Sequence, residues 1–303
     1  MLLDGATVFH VNVNCSDLER SRGFYCDGLG LSEGIRTTPD AAQDGTAFGV
    51  DKSLWDAWIL VGDRGFDGGA IDLLEWKQPL PSGSPPAALN ETGWQRIGLM
   101  VTDIEAAKTQ AVRHGGMAWS EPFHTGEIGD AASLQLCFVS DPDGVAIELI
   151  HAGIGPRVAF IGMTCADLDR SVAFYAALGF RESLRVDASR PAGDHLRIDG
   201  PVVMQEILMS APGGGDVALL LAGFTTPATV VNTPRPANAL GAWRVAMLVD
   251  DVDVACGALR ESSVALISEP VEMSMGPGLP DLRFMCFRGP DGEVVELIER
   301  PQR

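Results

Sequence analysis

Histidine is scarce in this chain, five among 303 residues, and His10 is the one whose setting suggests chemistry. It lies in Val8-Phe9-His10-Val11-Asn12-Val13-Asn14. The alternation puts His10, Asn12 and Asn14 on one face of a strand and Phe9, Val11 and Val13 on the other. An imidazole on such a polar face can point into a pocket and exchange protons near neutral pH. The bland reading is a hydrogen-bonded core histidine. Other candidates carry less. His124 sits in the loop Phe123-His124-Thr125-Gly126-Glu127, where it reads as a surface residue or a lid, and His195 has no evident partner. Gly213-Gly214-Gly215-Asp216 is a flexible turn, since no lysine or capped helix follows it as in a phosphate loop. The six cysteines are widely spaced with no CxxC pair, which fits buried thiols better than disulfides or a zinc site.

The strand holding His10 opens a unit that recurs. After it come a helix capped by Ser16 or Asp17 and a glycine turn at Gly30. Residues 158–182 repeat this almost letter for letter, with Asp17/Asp167, Leu18/Leu168, Arg20/Arg170, Phe24/Phe174 and Tyr25/Tyr175 in register. A one-residue deletion then shifts Gly30 to Gly179. A second pairing matches FVSDPDGVAIELI at Phe138–Ile150 with FRGPDGEVVELI, one residue shorter, at Phe287–Ile298; the offset is 148 from Pro142/Pro290 onward and also at Arg96/Arg244. So steady an offset marks a duplication. Each half divides again, because Ile97–Gly116 and Val245–Ser262 carry the same strand, Asp-led helix and turn. Four units therefore begin near residues 8, 95, 158 and 243. In the first, later strands are expected at 45–50, 56–62 and 70–76. Pro79–Pro86 and Thr225–Pro236 read as linkers, and the halves join near Ala152–Pro156.

These residues resemble the vicinal oxygen chelate superfamily, in which glyoxalase I, extradiol dioxygenases and the bleomycin resistance proteins share one fold. The likeness rests on DLERSxxFYxxxLGL near the start and DPDGxxIEL near the end of a half, and it covers nearly the whole chain. It implies an α+β fold of four tandem βαβββ modules pairing into two cup-shaped mixed β-sheet domains. The expected division is 1–153 (modules 8–76 and 95–151) and 154–303 (modules 158–222 and 243–300), with the site in the first and the second degenerate.

The resemblance also implies ligand positions on the first and last strands of each paired module. Here they carry His10, Asp72, Arg96 and Glu148, with Glu75 on the opposite face from Asp72. His10, Asp72 and Glu148 would form a reduced site for a divalent metal (Fe, Mn, Ni, Zn or Co), open to substrate oxygens. Arg96 departs from the pattern, because a guanidinium cannot ligate. The competing reading is an Arg96–Glu148 ion pair without metal. His10 and Glu148 then remain as acid and base, with Arg96 binding a substrate oxygen. The matching positions of the second half are Phe160, Ala218, Arg244 and Glu296, from which no metal is expected. Trp58, with Trp55, Phe48 and Phe66, can line an apolar pocket, Trp58 being taken as substrate-binding; the bland reading for most of these aromatics is core or surface packing.

The expected function is a glyoxalase-like lyase or isomerase working through an enolate-type intermediate. The alternative is a metal-free binding protein of the bleomycin-resistance type. An extradiol dioxygenase is weaker, since that family places its ligands in the second half. A net charge of −19 speaks against nucleic acid and membrane partners, and the resemblance implies a small-molecule substrate or ligand. Members of the family dimerise, which leaves a homodimer open. With no signal-like or spanning stretch, the expected location is cytoplasmic.

Overall fold

The computed structural model describes residues 1–125, 133–190 and 193–301. Module one comprises β1 (Thr7–Asn14), α1 (Leu18–Gly23), β2 (Ser32–Thr37), β3 (Gln43–Asp44), β4 (Lys52–Val61) and β5 (Ala70–Gln78). Module two comprises β6 (Gly93–Val101), α2 (Ile104–Arg113), β7 (Met117–Ala118), β8 (Phe123–His124), β9 (Gln135–Ser140) and β10 (Ala146–His151). Module three has β11 (Arg157–Thr164), α3 (Leu168–Leu178), β12 (Arg181–Arg190), β13 (Val202–Ser210) and β14 (Ala218–Thr226). Module four has β15 (Gly241–Val249), α4 (Val252–Glu261), β16 (Ala265–Leu266), β17 (Val271–Met273), β18 (Leu282–Arg288) and β19 (Val294–Glu299).

Local chemistry starts each helix the same way. Asp17, Asp103, Asp167 and Asp251 stand at the N-caps, and each side chain accepts the backbone N–H three residues on. The ends differ. In module three, α3 stops at Gly179, whose φ of 113° is open to glycine. Module one has one residue more before its turn, and Phe24–Gly28 takes it up as a π-turn. The strand expected at 45–50 is instead a short 3₁₀ turn, Thr46–Phe48, closed by Gly49 at a φ of 73°.

The modules pair across the two sequence halves. β1 of module one runs antiparallel to β15 of module four, and the resulting ten-stranded sheet follows the order β16-β18-β19-β15-β1-β5-β4-β2, with β17 added on β18 and β3 on β4. β6 of module two runs antiparallel to β11 of module three in a nine-stranded sheet. Sequence repeat and structural cup therefore do not coincide. Neither half closes a cup of its own: the motifs leave pairing in chain order or exchange across the halves open, the division at 153/154 assumes chain order, and the chain adopts the exchange. Both seams carry register shifts at matching places, at Val8/His10 and Asn12/Val13 and at Val158/Phe160 and Gly162/Met163. Such bulges re-aim side chains at the centre of a sheet.

Strand alternation divides the apolar residues. Val11, Val13, Ile71, Leu73, Val245 and Met247 of the first sheet join Ile97, Leu99, Ile161 and Met163 of the second in one core with residues of all four helices. The opposite faces form the two cups. Phe48, Trp55, Trp76, Trp243 and Phe284 cluster on the first, and Phe160, Ala218, Leu220 and Leu136 on the second.

Candidate active site

The cup between modules one and four gathers four charged or polar side chains from four strands. His10 comes from β1, Asp72 from β5, Arg244 from β15 and Glu296 from β19, each no more than 5 % exposed. Parallel pairing of β1 with β5 sets Asn12 beside Asp72, and pairing of β15 with β19 sets Ala246 beside Glu296. Across the seam His10 faces Ala246. Arg244 is the centre of the cluster. Its Nε donates to Glu296 Oε2 and its Nη2 to Asp72 Oδ2, each at 2.9 Å. The same guanidinium lies 5.2 Å over the ring of Phe48. Asn12 Nδ2 donates to Asp72 Oδ2 at 3.2 Å.

Electrostatics follow from this packing. Burial pushes the Glu296 carboxyl up, but Arg244 and His10 outweigh it and bring its pKa down to about 2. Burial works against the Arg244 charge, and Glu296 with Asp72 more than compensates, so its pKa stands above the usual arginine value. His10 is the unfinished part. Its Nε2 lies 3.4 Å from Glu296 Oε2 and 3.8 Å from Asp72 Oδ2, and neither ring nitrogen has a hydrogen-bond partner. Arg244 Nη1 and Asn12 Oδ1 are buried and unpartnered as well.

His10, Asp72, Arg244 and Glu296 form the floor of a cavity of about 390 Å³ with apolar walls. Phe48, Trp55, Trp76 and Phe284 stand around it, and Phe9 and Phe66 also line it. The polar tips of the walls are satisfied elsewhere: Trp55 Nε1 donates to Thr37 Oγ1 and Trp76 Nε1 to Asn14 Oδ1, each at 3.0 Å. What remains for a ligand is ring surface and the unpartnered nitrogens.

The second cup holds a related but different cluster. Arg96 pairs with Glu148 at 3.0 Å and with Glu206 of β13, and its guanidinium lies 5.5 Å over Phe160. Burial and the nearby Glu206 raise the Glu148 pKa to about 7 against the pull of Arg96. Glu148, Glu206 and Phe160 border a cavity of about 730 Å³.

Several expectations change. His10 and Asp72 do meet, but Glu148 lies in the other sheet, so the set of His10, Asp72 and Glu148 is not assembled. The carboxylate and guanidinium that His10 meets are Glu296 and Arg244, from the half expected to be degenerate. Arg96 likewise contributes nothing to the His10 cavity. Trp58 is not among that cavity's walls. It packs against the inter-sheet core, with Arg36 5.5 Å over its ring, because β4 alternation turns Trp55, Ala57 and Ile59 inward and Trp58 away. Glu75 faces away too and accepts the Leu18 N–H at the start of α1. His195 is wedged between Phe123 and Phe138, where burial and Arg190 hold its pKa near 4. His124 is exposed on β8, and residues 126–127 of its loop fall outside the described residues. The residues not foreseen at the His10 site are Arg244, Glu296 and Phe284. The one signal that bore on them was the repeat of Arg96 and Glu148 as Arg244 and Glu296.

A divalent metal does not fit the first cup. The Arg244 guanidinium already holds one oxygen of each carboxylate and puts a fixed positive charge where the ion would sit. Among the described residues no three His, Cys, Asp or Glu side chains are arranged to hold a metal.

Fold and repeat agree with the known relatives. The chain belongs to the Glyoxalase/Bleomycin resistance protein/Dioxygenase superfamily, whose model matches residues 7–149 and again 157–297. Among solved structures it is similar to glyoxalase I from Zea mays, with 19% identity and a TM-score of 0.68 over 97% of this chain and 92% of that one. A putative dioxygenase from Bacillus subtilis subsp. subtilis str. 168 is similar over 98% of this chain and 86% of its own, at 11% identity and a TM-score of 0.60. At such identities the likeness is one of fold. No curated protein matches the chain.

Proposed function

We propose that the protein is a glyoxalase-like lyase or isomerase that works on a small organic molecule in the first cup without a resident metal. His10 moves the proton and Arg244 steadies the oxygen. The observation that carries this reading is a buried imidazole with both ring nitrogens unpartnered, lining an apolar cavity beside an unpartnered guanidinium nitrogen. Leaving such groups unpaired costs stability, and a ligand that completed their bonds in the cavity would relieve that cost.

In the reaction, the free ring nitrogen of His10 takes a proton from the carbon next to a ligand carbonyl. The electron pair moves onto the carbonyl oxygen, and Arg244 Nη1 donates to that oxygen. The proton gained by His10 balances the charge gained by the ligand oxygen, so the total charge of floor and ligand together is unchanged. Return of the proton to another carbon gives an isomerase, and loss of a leaving group gives a lyase. Glu296, held ionised by Arg244, stabilises the imidazolium from 3.4 Å.

A second reading, a metal-free binding protein, has its own support. The cavity walls are almost wholly apolar, and both carboxylates are already tied to Arg244. Aryl ketones incubated with the protein in deuterated water distinguish the two. Exchange of the hydrogens next to the carbonyl, seen by NMR and abolished in His10→Leu, is expected for the enzyme. Ligand binding without any exchange would leave only the binding protein.

A further inference from the structure

We propose that the first cup selects uncharged ligands, namely apolar ring compounds that present one neutral oxygen, a carbonyl or hydroxyl, to Arg244 and His10. This deepens the reading above and rests on it for the location of the site. Three features of the floor carry it.

The first is the type of the unpartnered groups. Arg244 Nη1 can only donate, and a neutral imidazole has one donor and one acceptor. A carbonyl oxygen satisfies the guanidinium, and a hydroxyl satisfies both residues at once. An ammonium group could donate to the imidazole acceptor, but it has only hydrogens for Arg244 Nη1. It would also set a second fixed cation beside that guanidinium, so the pull of the net negative floor is opposed where the ligand's polar end sits.

The second feature is the balance of charge. One guanidinium against two carboxylates leaves the floor with a single negative charge when His10 is neutral. Both carboxylates are fixed by bonds to Arg244 and cannot turn away. An anionic ligand would bring a second negative charge into a buried cavity against this excess. In many anion sites an arginine has free donors to both sides, whereas here Nε and Nη2 are already committed.

The third feature is the wall. Phe48 stacks on Phe284 at 5.4 Å between ring centroids and meets Trp76 edge-on at 5.8 Å, which leaves flat ring surface around the cavity. A volume of about 390 Å³ accepts a molecule of one or two rings. No lysine or arginine other than Arg244 is among the lining residues, so nothing at the mouth offsets the floor charge.

The test uses the full chain at neutral pH and four probes of one shape: 2-naphthol, naphthalene, 2-naphthoate and 2-naphthylmethylamine. Fluorescence of Trp55 and Trp76 reports occupancy of the cup, and calorimetry gives the affinity. The expected result is 2-naphthol binding about tenfold or more tighter than each of the other three. In His10→Leu the advantage of 2-naphthol over naphthalene shrinks at least about threefold, while naphthalene still binds. Tighter binding of the naphthoate or the amine, equal binding of naphthol and naphthalene, or a naphthol advantage untouched in His10→Leu overturns the proposal. Should the variant fail to fold, the wild-type ranking decides alone. No binding by any probe would remove both this proposal and the site. A neutral preference without hydrogen exchange would remove only the catalytic reading, and exchange on a charged substrate would remove only this one.

Discussion

His10 combines the cost and the use of a buried polar group. Two ring nitrogens without partners inside a folded chain are destabilising, by about 1–3 kcal/mol for a neutral group. Replacing the imidazole with an apolar side chain of similar size removes that cost. His10→Leu is therefore expected to raise stability by about 1 kcal/mol in chemical denaturation while abolishing hydrogen exchange on bound ketones. A fall in stability would mean that His10 is held by bonds in the free protein and is a structural residue. Glu296 makes the opposite kind of contribution. Its folded pKa of about 2 lies below the ordinary 4.5, so the stability it supplies is fully present above pH 4.5 and is lost as pH falls toward 2. The depth is on the order of 3 kcal/mol, from about 1.4 kcal/mol per unit. Urea titrations between these pH values should show that slope in the wild type and a flatter one in Glu296→Gln. Glu148 has the reverse sign. Burial raises it to about 7, so its contribution favours the fold at low pH and is lost as pH rises from 4.5 through 7.

At the scale of elements, the two seams show how one small residue decides what a cup contains. Phe160 of β11 faces Gly98 of β6, and a Cβ at Gly98 would lie 2.3 Å from the Phe160 ring. In the first cup the matching partners are His10 and Ala246. A glycine opposite a phenylalanine gives the second cup an apolar floor beside Arg96. An alanine opposite the histidine leaves the first cup its imidazole. Gly98→Ala should force the Phe160 ring from its position and cost about 1–3 kcal/mol. Thermal unfolding would measure the loss, with probe binding in the first cup unchanged in the folded protein. Unaltered stability would show that Phe160 has room to move. The opening strands were legible as elements from their alternation, and the four Asp caps from their spacing. The register shifts within β1 and β11 were not, because a bulge is set by the partner strand across the seam.

At the scale of the whole molecule, the cross-pairing makes each half incomplete. Residues 1–153 contain β1 and β6, whose partners β15 and β11 both lie beyond residue 154. Expressed alone, that half would expose two long central edges, and such edges pair with whatever strand is available. It is expected to dimerise or aggregate, and light scattering after size exclusion would read its mass. A stable folded monomer of that half would show that chain-order pairing is accessible. The linkers help to fix the arrangement seen. Ser82 bridges Ala239 and Glu91 bridges Val230, so the two connections run side by side, and Asn14 Nδ2 donates to Ala237 and Ala239 carbonyls.

The sequence by itself determined the modules, their number, their helix caps and the superfamily, because these rest on short-range spacing repeated along the chain. It also singled out His10, through the single difference from Phe160, and placed Asp72 on the same face, where the two lie 3.8 Å apart. Tertiary structure alone decided which modules share a sheet. The edges of β1, β6, β11 and β15 offer similar backbone donors and acceptors and similar apolar faces, so pairing within halves or across them satisfies the same local pattern. That choice moved the partners of His10 from Glu148 and Arg96 to Glu296 and Arg244. It set a guanidinium between the two carboxylates, where a metal held by them would sit.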